Sequence, residues 1–190
     1  MTSYTVNNIK VSFKACSTDI RSDLKRICQS SKFVTKRDIN FFVLRKTFVY
    51  IAFFTGHINC TKLRSLEDLQ CCQEEFGTFF DSITRGKLEL KAPIVDNISA
   101  SGSIAQSRIN LQRLALFLQS INQKVRFNPE TFPGLSFRIS PVTFTIFTSG
   151  KFIAVGAQRY VDLAISISLF FKFIQQFFNQ YESATNTGSQ

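Results

Sequence analysis

The sequence predicts an α+β fold, in which two pseudo-symmetric repeats build one antiparallel sheet with helices on a single face. Three observations predict it. Val6–Ile9 (VNNI) recurs as Val95–Ile98 (VDNI), an offset of 89 positions. Phe42–Arg45 (FVLR) recurs as Leu135–Arg138 (LSFR), offset by 93, and Phe53–Ile58 (FFTGHI) recurs as Phe147–Phe152 (FTSGKF), offset by 94. Matches in one order at nearly constant offset mark an internal duplication.

Each repeat opens with a short strand, Asn8–Phe13 in the first and Asn97–Ser101 in the second. A helix follows, Asp19–Ser30 and Asn110–Ile121; in the latter Leu111, Leu114, Ala115 and Leu118 recur at helical spacing behind Asn110, a suitable N-cap. Three or four β-rich strands come next, covering about Ile39–Leu63 and Leu135–Val155, with Thr-Gly, Ser-Gly and Pro141 marking turns. Long helices over Ser65–Ile83 and Gln158–Tyr181 close the repeats. The domain boundaries are therefore 4–84 and 93–181, joined by a linker at 85–92 and followed by a disordered tail at 182–190. Helices on one face leave the other sheet face for solvent or a partner.

The 190-residue chain is 44% hydrophobic, enough for a substantial core, and carries 22 Phe and no Trp. Most of those rings must be core filler, yet the same residue serves as an interface and as a wedge between base pairs. A formal net charge of +10 points to a polyanionic partner. The five cysteines include no C-x-x-C pair and stand with a single histidine, His57, so a zinc site is rejected. No secretory signal is visible, and the cysteines read as reduced and intracellular. No apolar run reaches transmembrane length, because Asp162, Ser166, Ser168, Lys172, Gln175 and Gln176 interrupt Val161–Phe178. No carboxylate cluster or nucleophile–base pair can be assembled, so the chain reads as a non-enzyme without cofactor or metal.

The segment 128–158, NPETFPGLSFRISPVTFTIFTSGKFIAVGAQ, resembles the second repeat of the TATA-box-binding protein family in its Pro-Glu-x-Phe-Pro-Gly-Leu loop, its Arg and its Ile-Phe-x-Ser-Gly-Lys turn. A weaker likeness runs from about Tyr4 to Tyr181, and Lys36-Arg37-Asp38-Ile39 is more similar to the divergent TBP-like factors. The resemblance implies a saddle: one curved sheet, helices on its convex face, and DNA held minor groove inward on the concave face. It implies a nuclear factor that bends DNA and helps assemble a transcription preinitiation complex. The alternative is a protein-interaction member of the fold with little or no DNA binding.

By the same resemblance, Phe132 and Phe147 are the kinking wedge of the second repeat. Phe53 matches Phe147 in the first, and the partner of Phe132 falls on Ile39, or on Asp38 if the alignment slips by one. Asn8, Asn97 and Thr61 are the implied base-edge contacts, whereas Val155 stands opposite Thr61, and Lys10 and Ser99 replace two expected valines. Arg45, Arg138, Lys151 and Arg64 are the implied phosphate contacts; His57 and Gln158 stand where lysines are expected, and Lys32, Lys36 and Arg37 lie nearby. Glu130 is kept on the loop that meets transcription factor IIB, while Asn128 and Thr131 depart. Ser65–Asp81 holds five acidic residues and no Lys or Arg where the family is basic. Factors like IIB and IIA are thus expected as partners in altered form, with the chain a monomer on A·T-rich duplex and no membrane involved.

Overall fold

The computed structural model describes residues 3–84, 88–105 and 108–186. They fall into two compact units, one spanning Val6–Asn97 and the other built from Ile98 onward with the start of the first strand.

In the first unit the order is β1 (Ser3–Cys16), α1 (Ile20–Ser30), β2 (Val34–Arg37), β3 (Phe41–Arg45), β4 (Val49–Phe53), β5 (His57–Leu63), α2 (Asp68–Asp81) and β6 (Glu89–Leu90). Its antiparallel sheet runs β2-β3-β4-β5-β1, with β6 pairing Ala15 and Cys16 at the end of β1. Period-two burial explains the strands: Phe42, Leu44, Tyr50, Ala52, Ile58 and Cys60 are fully buried, and their alternate neighbours lie on the open face. Gly56, at φ +86°, turns β4 into β5; a Cβ there would stand 2.3 Å from the Ala15 carbonyl oxygen. The ring of Phe76 on α2 meets Phe13 at 5.8 Å and Tyr50 at 5.3 Å, which fastens helix to sheet. The Tyr50 hydroxyl reaches both the Cys72 carbonyl and Glu75 Oε1 at 2.9 Å, and burial first of all pushes its pKa up.

The second unit repeats the plan with β7 (Ile94–Ser103), which enters it from Ile98 onward, α3 (Leu111–Ser120), β8 (Val125–Arg126), β9 (Leu135–Ile139), β10 (Val142–Ile146), β11 (Lys151–Ala157) and α4 (Tyr160–Asn186). Its sheet runs β7-β11-β10-β9-β8. Phe170 of α4 stacks on Phe144 at 4.6 Å and contacts Phe137 and Phe152, so much of the phenylalanine excess is core filler. Asp19 caps α1 by accepting from Ser22 N at 3.2 Å, and Asn110 caps α3 by accepting from Arg113 N at 3.0 Å.

Several boundaries differ from the sequence expectation. Helix α2 begins at Asp68 because its carboxylate accepts from Arg64 N (2.7 Å) and Ser65 N (3.2 Å), which holds the preceding residues in a turn. Helix α4 extends to Asn186, into the segment expected as a tail; residues 187–190 lie outside the described residues. Strand β6 occupies part of the expected linker, of which 85–87 are likewise not described. The two-residue β8 and the four-residue β2 are too short to leave a periodic signal.

The membrane expectation also needs correction, since Tyr160–Gln180 is long and apolar enough, by length and composition, to cross a membrane. The interrupting Ser and Gln residues weigh less in mean hydropathy than charges do, and Asp162 and Lys172 are the only charges there. One face of this helix buries Leu163, Ile167, Phe170, Ile174 and Phe177, and a core helix passes the same test.

Candidate nucleic-acid interface

The open face of the second unit is organised by the loop between β8 and β9. Asn128 nucleates it: its carbonyl accepts from Thr131 N (3.2 Å) and Phe132 N (3.0 Å), and its side-chain oxygen accepts from Glu130 N (3.2 Å). This lifts Phe132 out, 48% exposed, with its ring 6.0 Å from that of Phe147 at 64°. Gly134 makes the pairing possible. A Cβ there would stand 2.6 Å from Phe132 Cε1, 2.8 Å from Thr145 Cγ2 and 3.0 Å from Phe147 Cε1. Phe147 is held by a tight turn in which its N–H donates to the Lys151 carbonyl and its carbonyl accepts from Gly150 N, both at 2.9 Å. Arg138 on β9 and Lys151 on β11 are exposed, and Lys151 and Phe147 line a groove of about 600 Å³ with Ser101, Ser103 and Ile153. Glu130 is exposed at the loop.

In the first unit the ring beside Phe53 belongs to Phe41, not to Ile39. Phe41 and Phe53 are direct cross-strand partners on β3 and β4, with rings 5.6 Å apart at 48°. By the repeat, Phe41 stands where Gly134 does, so a strand-borne ring occupies the place that glycine vacates for Phe132. Sequence comparison missed it because matching position to position finds only a residue that departs from glycine. Ile39 sits at the turn into β3, 88% exposed. Asp38 serves that turn, its carboxylate accepting from Asn40 N at 3.4 Å.

Asn8 Oδ1 accepts from Lys62 N at 2.7 Å, which fixes the amide beside a bulge between β1 and β5. Lys62 there adopts φ +79°, while the matching bulge of the second unit holds Gly156 at φ +111°. Asn97 and Thr61 are half-buried on β7 and β5, and Val155 is exposed opposite Ser99. Arg45 and Arg64 are exposed at the ends of β3 and β5. His57 is exposed too, its Nε2 3.1 Å from Asn59 Oδ1 and its ring 6.0 Å from Phe53.

The nearby cations of the first unit are tethered. Arg37 Nε donates to the Cys28 carbonyl at 2.8 Å, and Lys36 and Lys32 each lie 5.5 Å from the ring centroids of Phe41 and Phe33. Lys10, which the sequence leaves either to reach a phosphate or to spoil a close contact, is instead paired with Asp96 at 3.7 Å.

The class of protein is thus a duplicated strand–helix–sheet–helix fold that carries aromatic pairs and cations on the sheet face its helices leave open. Residues 92–177 match the family model described as "Transcription factor TFIID (or TATA-binding protein, TBP)". The chain is 31% identical over 126 residues to TATA-box-binding protein 2 of Haloferax volcanii, covering 62% of each chain. It is 33% identical over 114 residues to TATA-box-binding protein B of Halobacterium salinarum, covering 57% of this chain and 58% of that one. The chain thus spans about three fifths of the length of these relatives. The solved structure of Methanococcus jannaschii TBP superposes with a TM-score of 0.73 at 20% identity, over 92% of this chain and 99% of that one, and shows the shared α+β fold. Over residues 92–177 the chain is thus similar to the TATA-box-binding protein family, and over most of its length it shares the fold of a solved TBP structure.

Proposed function

We propose that this chain binds A·T-rich duplex DNA along the minor groove through the open sheet faces of its repeats, bends it, and seeds assembly of a transcription preinitiation complex. The observation that carries this reading is the Phe132–Phe147 pair, raised over Gly134 on a loop with cations beside it. Apolar rings inserted at a base step cost a few kcal/mol of unstacking, which wider contact with the bent duplex offsets. Phe53 and Phe41 act as the corresponding pair of the first repeat, with Ile39 as an exposed apolar contact at its turn. Asn8, Asn97 and Thr61 meet base edges, where amides and hydroxyls suit the acceptor pattern of A·T pairs. Arg45, Arg138, Lys151 and Arg64 meet phosphates.

Glu130 offers a contact to a factor like IIB, and the acidic α2 favours an altered partner in place of one like IIA. The chain works as a monomer on its duplex, in the nucleus where the cell has one. The rival protein-only reading loses two supports, because Asp96 neutralises Lys10 and Phe41 supplies a fourth ring. Selection of bound duplexes from a random pool, with bending measured on the winners, tests the proposal. Enriched A·T-rich, bent duplexes are expected; no enrichment at low salt overturns it.

A further inference from the structure

Beside the loop that carries Phe132 lies a cavity of about 810 Å³, lined by Lys124, Arg126, Phe127, Phe132, Arg138 and Thr143 among others, with no carboxylate in its wall. Arg126 pairs with Ser136 across β8 and β9, and Arg138 lies two residues along the same strand. Alternation therefore puts Arg126, Ser136 and Arg138 on the open face, and Lys124, two residues before Arg126, joins them. Among the described residues none of these three cations enters a salt bridge. Three like charges gathered without a counter-charge repel one another, and an anion seated between them removes that penalty.

We infer that this cavity is a phosphate clamp, in which Lys124 and Arg126 join Arg138 in gripping the DNA backbone just outside the step entered by Phe132 and Phe147. The inference rests on the DNA-binding reading above. A phosphodiester is the anion that fits, because Phe132 forms part of the wall and a duplex kinked at Phe132 brings its own backbone alongside. Among its described residues, the first repeat engages its edge-strand cations differently. The cations on and beside its edge strand are held by the Cys28 carbonyl and by the rings of Phe41 and Phe33. The second repeat therefore holds the duplex more firmly than the first, which biases the orientation of the protein on an asymmetric site.

The test follows binding of an A·T-rich duplex with long flanks across a salt series. It compares the wild type, Lys124→Ala with Arg126→Ala, and Arg21→Ala with Lys25→Ala, which removes the same charge from the exposed side of α1. For the Lys124/Arg126 variant the slope of log affinity against log salt should become shallower by about 2, one phosphate per cation, while the α1 variant keeps the wild-type slope. Should the alanine pair fail to fold, Lys124→Gln with Arg126→Gln is read the same way. A wild-type slope in the Lys124/Arg126 variant, or an equal loss in the α1 variant, overturns the clamp and leaves the DNA-binding reading standing. A wild-type protein that binds no duplex at any salt overturns both.

Discussion

Lys10 Nζ lies 3.7 Å from Asp96 Oδ2, and Oδ1 of the same carboxylate accepts from Ser12 Oγ at 3.0 Å. A lysine in place of a small apolar residue would carry a desolvation cost on a surface that must approach base edges. The carboxylate answers that charge from the start of β7, within the same compact unit. It also keeps Lys10 from a phosphate, so Asp96→Asn should release a cation and remove an anion near the duplex. We expect tighter DNA binding, with a salt slope steeper by about 1. Both side chains are partly exposed, so the stability cost should stay under about 1 kcal/mol. An unchanged slope in a salt titration contradicts this account.

Gly134→Ala tests the seat of the aromatic pair. Its Cβ would meet the ends of two rings and a methyl group, which yield more readily than backbone. The variant should fold with a loss of about 1–3 kcal/mol, and the rings should part. Thermal unfolding checks the first outcome. A fluorescence measurement of duplex bending checks the second, where a wild-type bend would refute the role given to the glycine.

Lys62→Gly should stabilise the chain. Lys62 sits at φ +79° where the second repeat uses Gly156, and a left-handed non-glycine residue costs about 1–2 kcal/mol. The added backbone freedom of glycine takes back about 0.5–1 kcal/mol. The expected net gain is about 1 kcal/mol, read from the urea midpoint at constant slope; a loss would show that the Lys62 side chain has a role of its own.

Glu75 sets an acid limit. Burial raises its carboxyl, but hydrogen bonds from Thr47, Tyr50 and Phe48 outweigh that and leave its pKa below the ordinary 4.5. A carboxylate depressed on folding contributes stability that is fully present above its unfolded pKa and is lost as pH falls through the folded one. Denaturation at neutral pH and below pH 4.5 should therefore show Glu75→Gln less stable at neutrality, with a gap to the wild type that narrows on acidification. A gap that widens would reverse the sign.

Much of the fold is legible in the sequence because the duplication can be read twice. The Asn110 cap, the Thr55-Gly56 turn and the alternating strands of both repeats follow from local pattern alone. The site is legible where a loop motif carries it, as with Phe132 and Phe147. It is less so where tertiary register decides, because Phe41 becomes a neighbour of Phe53 only through the β3–β4 pairing. Asp96 meets Lys10 only once their strands are folded, and Lys124 and Arg126 gain meaning only when a two-residue strand sets them beside Arg138. Such relations between distant residues leave no periodic trace.

Bending of an A·T-rich duplex, followed by energy transfer between dyes at its two ends, tests the central claim most directly. The wild type should draw the ends together. Phe132→Ala with Phe147→Ala should abolish most of the bend, and Phe41→Ala with Phe53→Ala should remove a smaller part, with all three proteins equally folded. A full bend in the Phe132/Phe147 variant would contradict the claim that this pair enters and kinks the duplex.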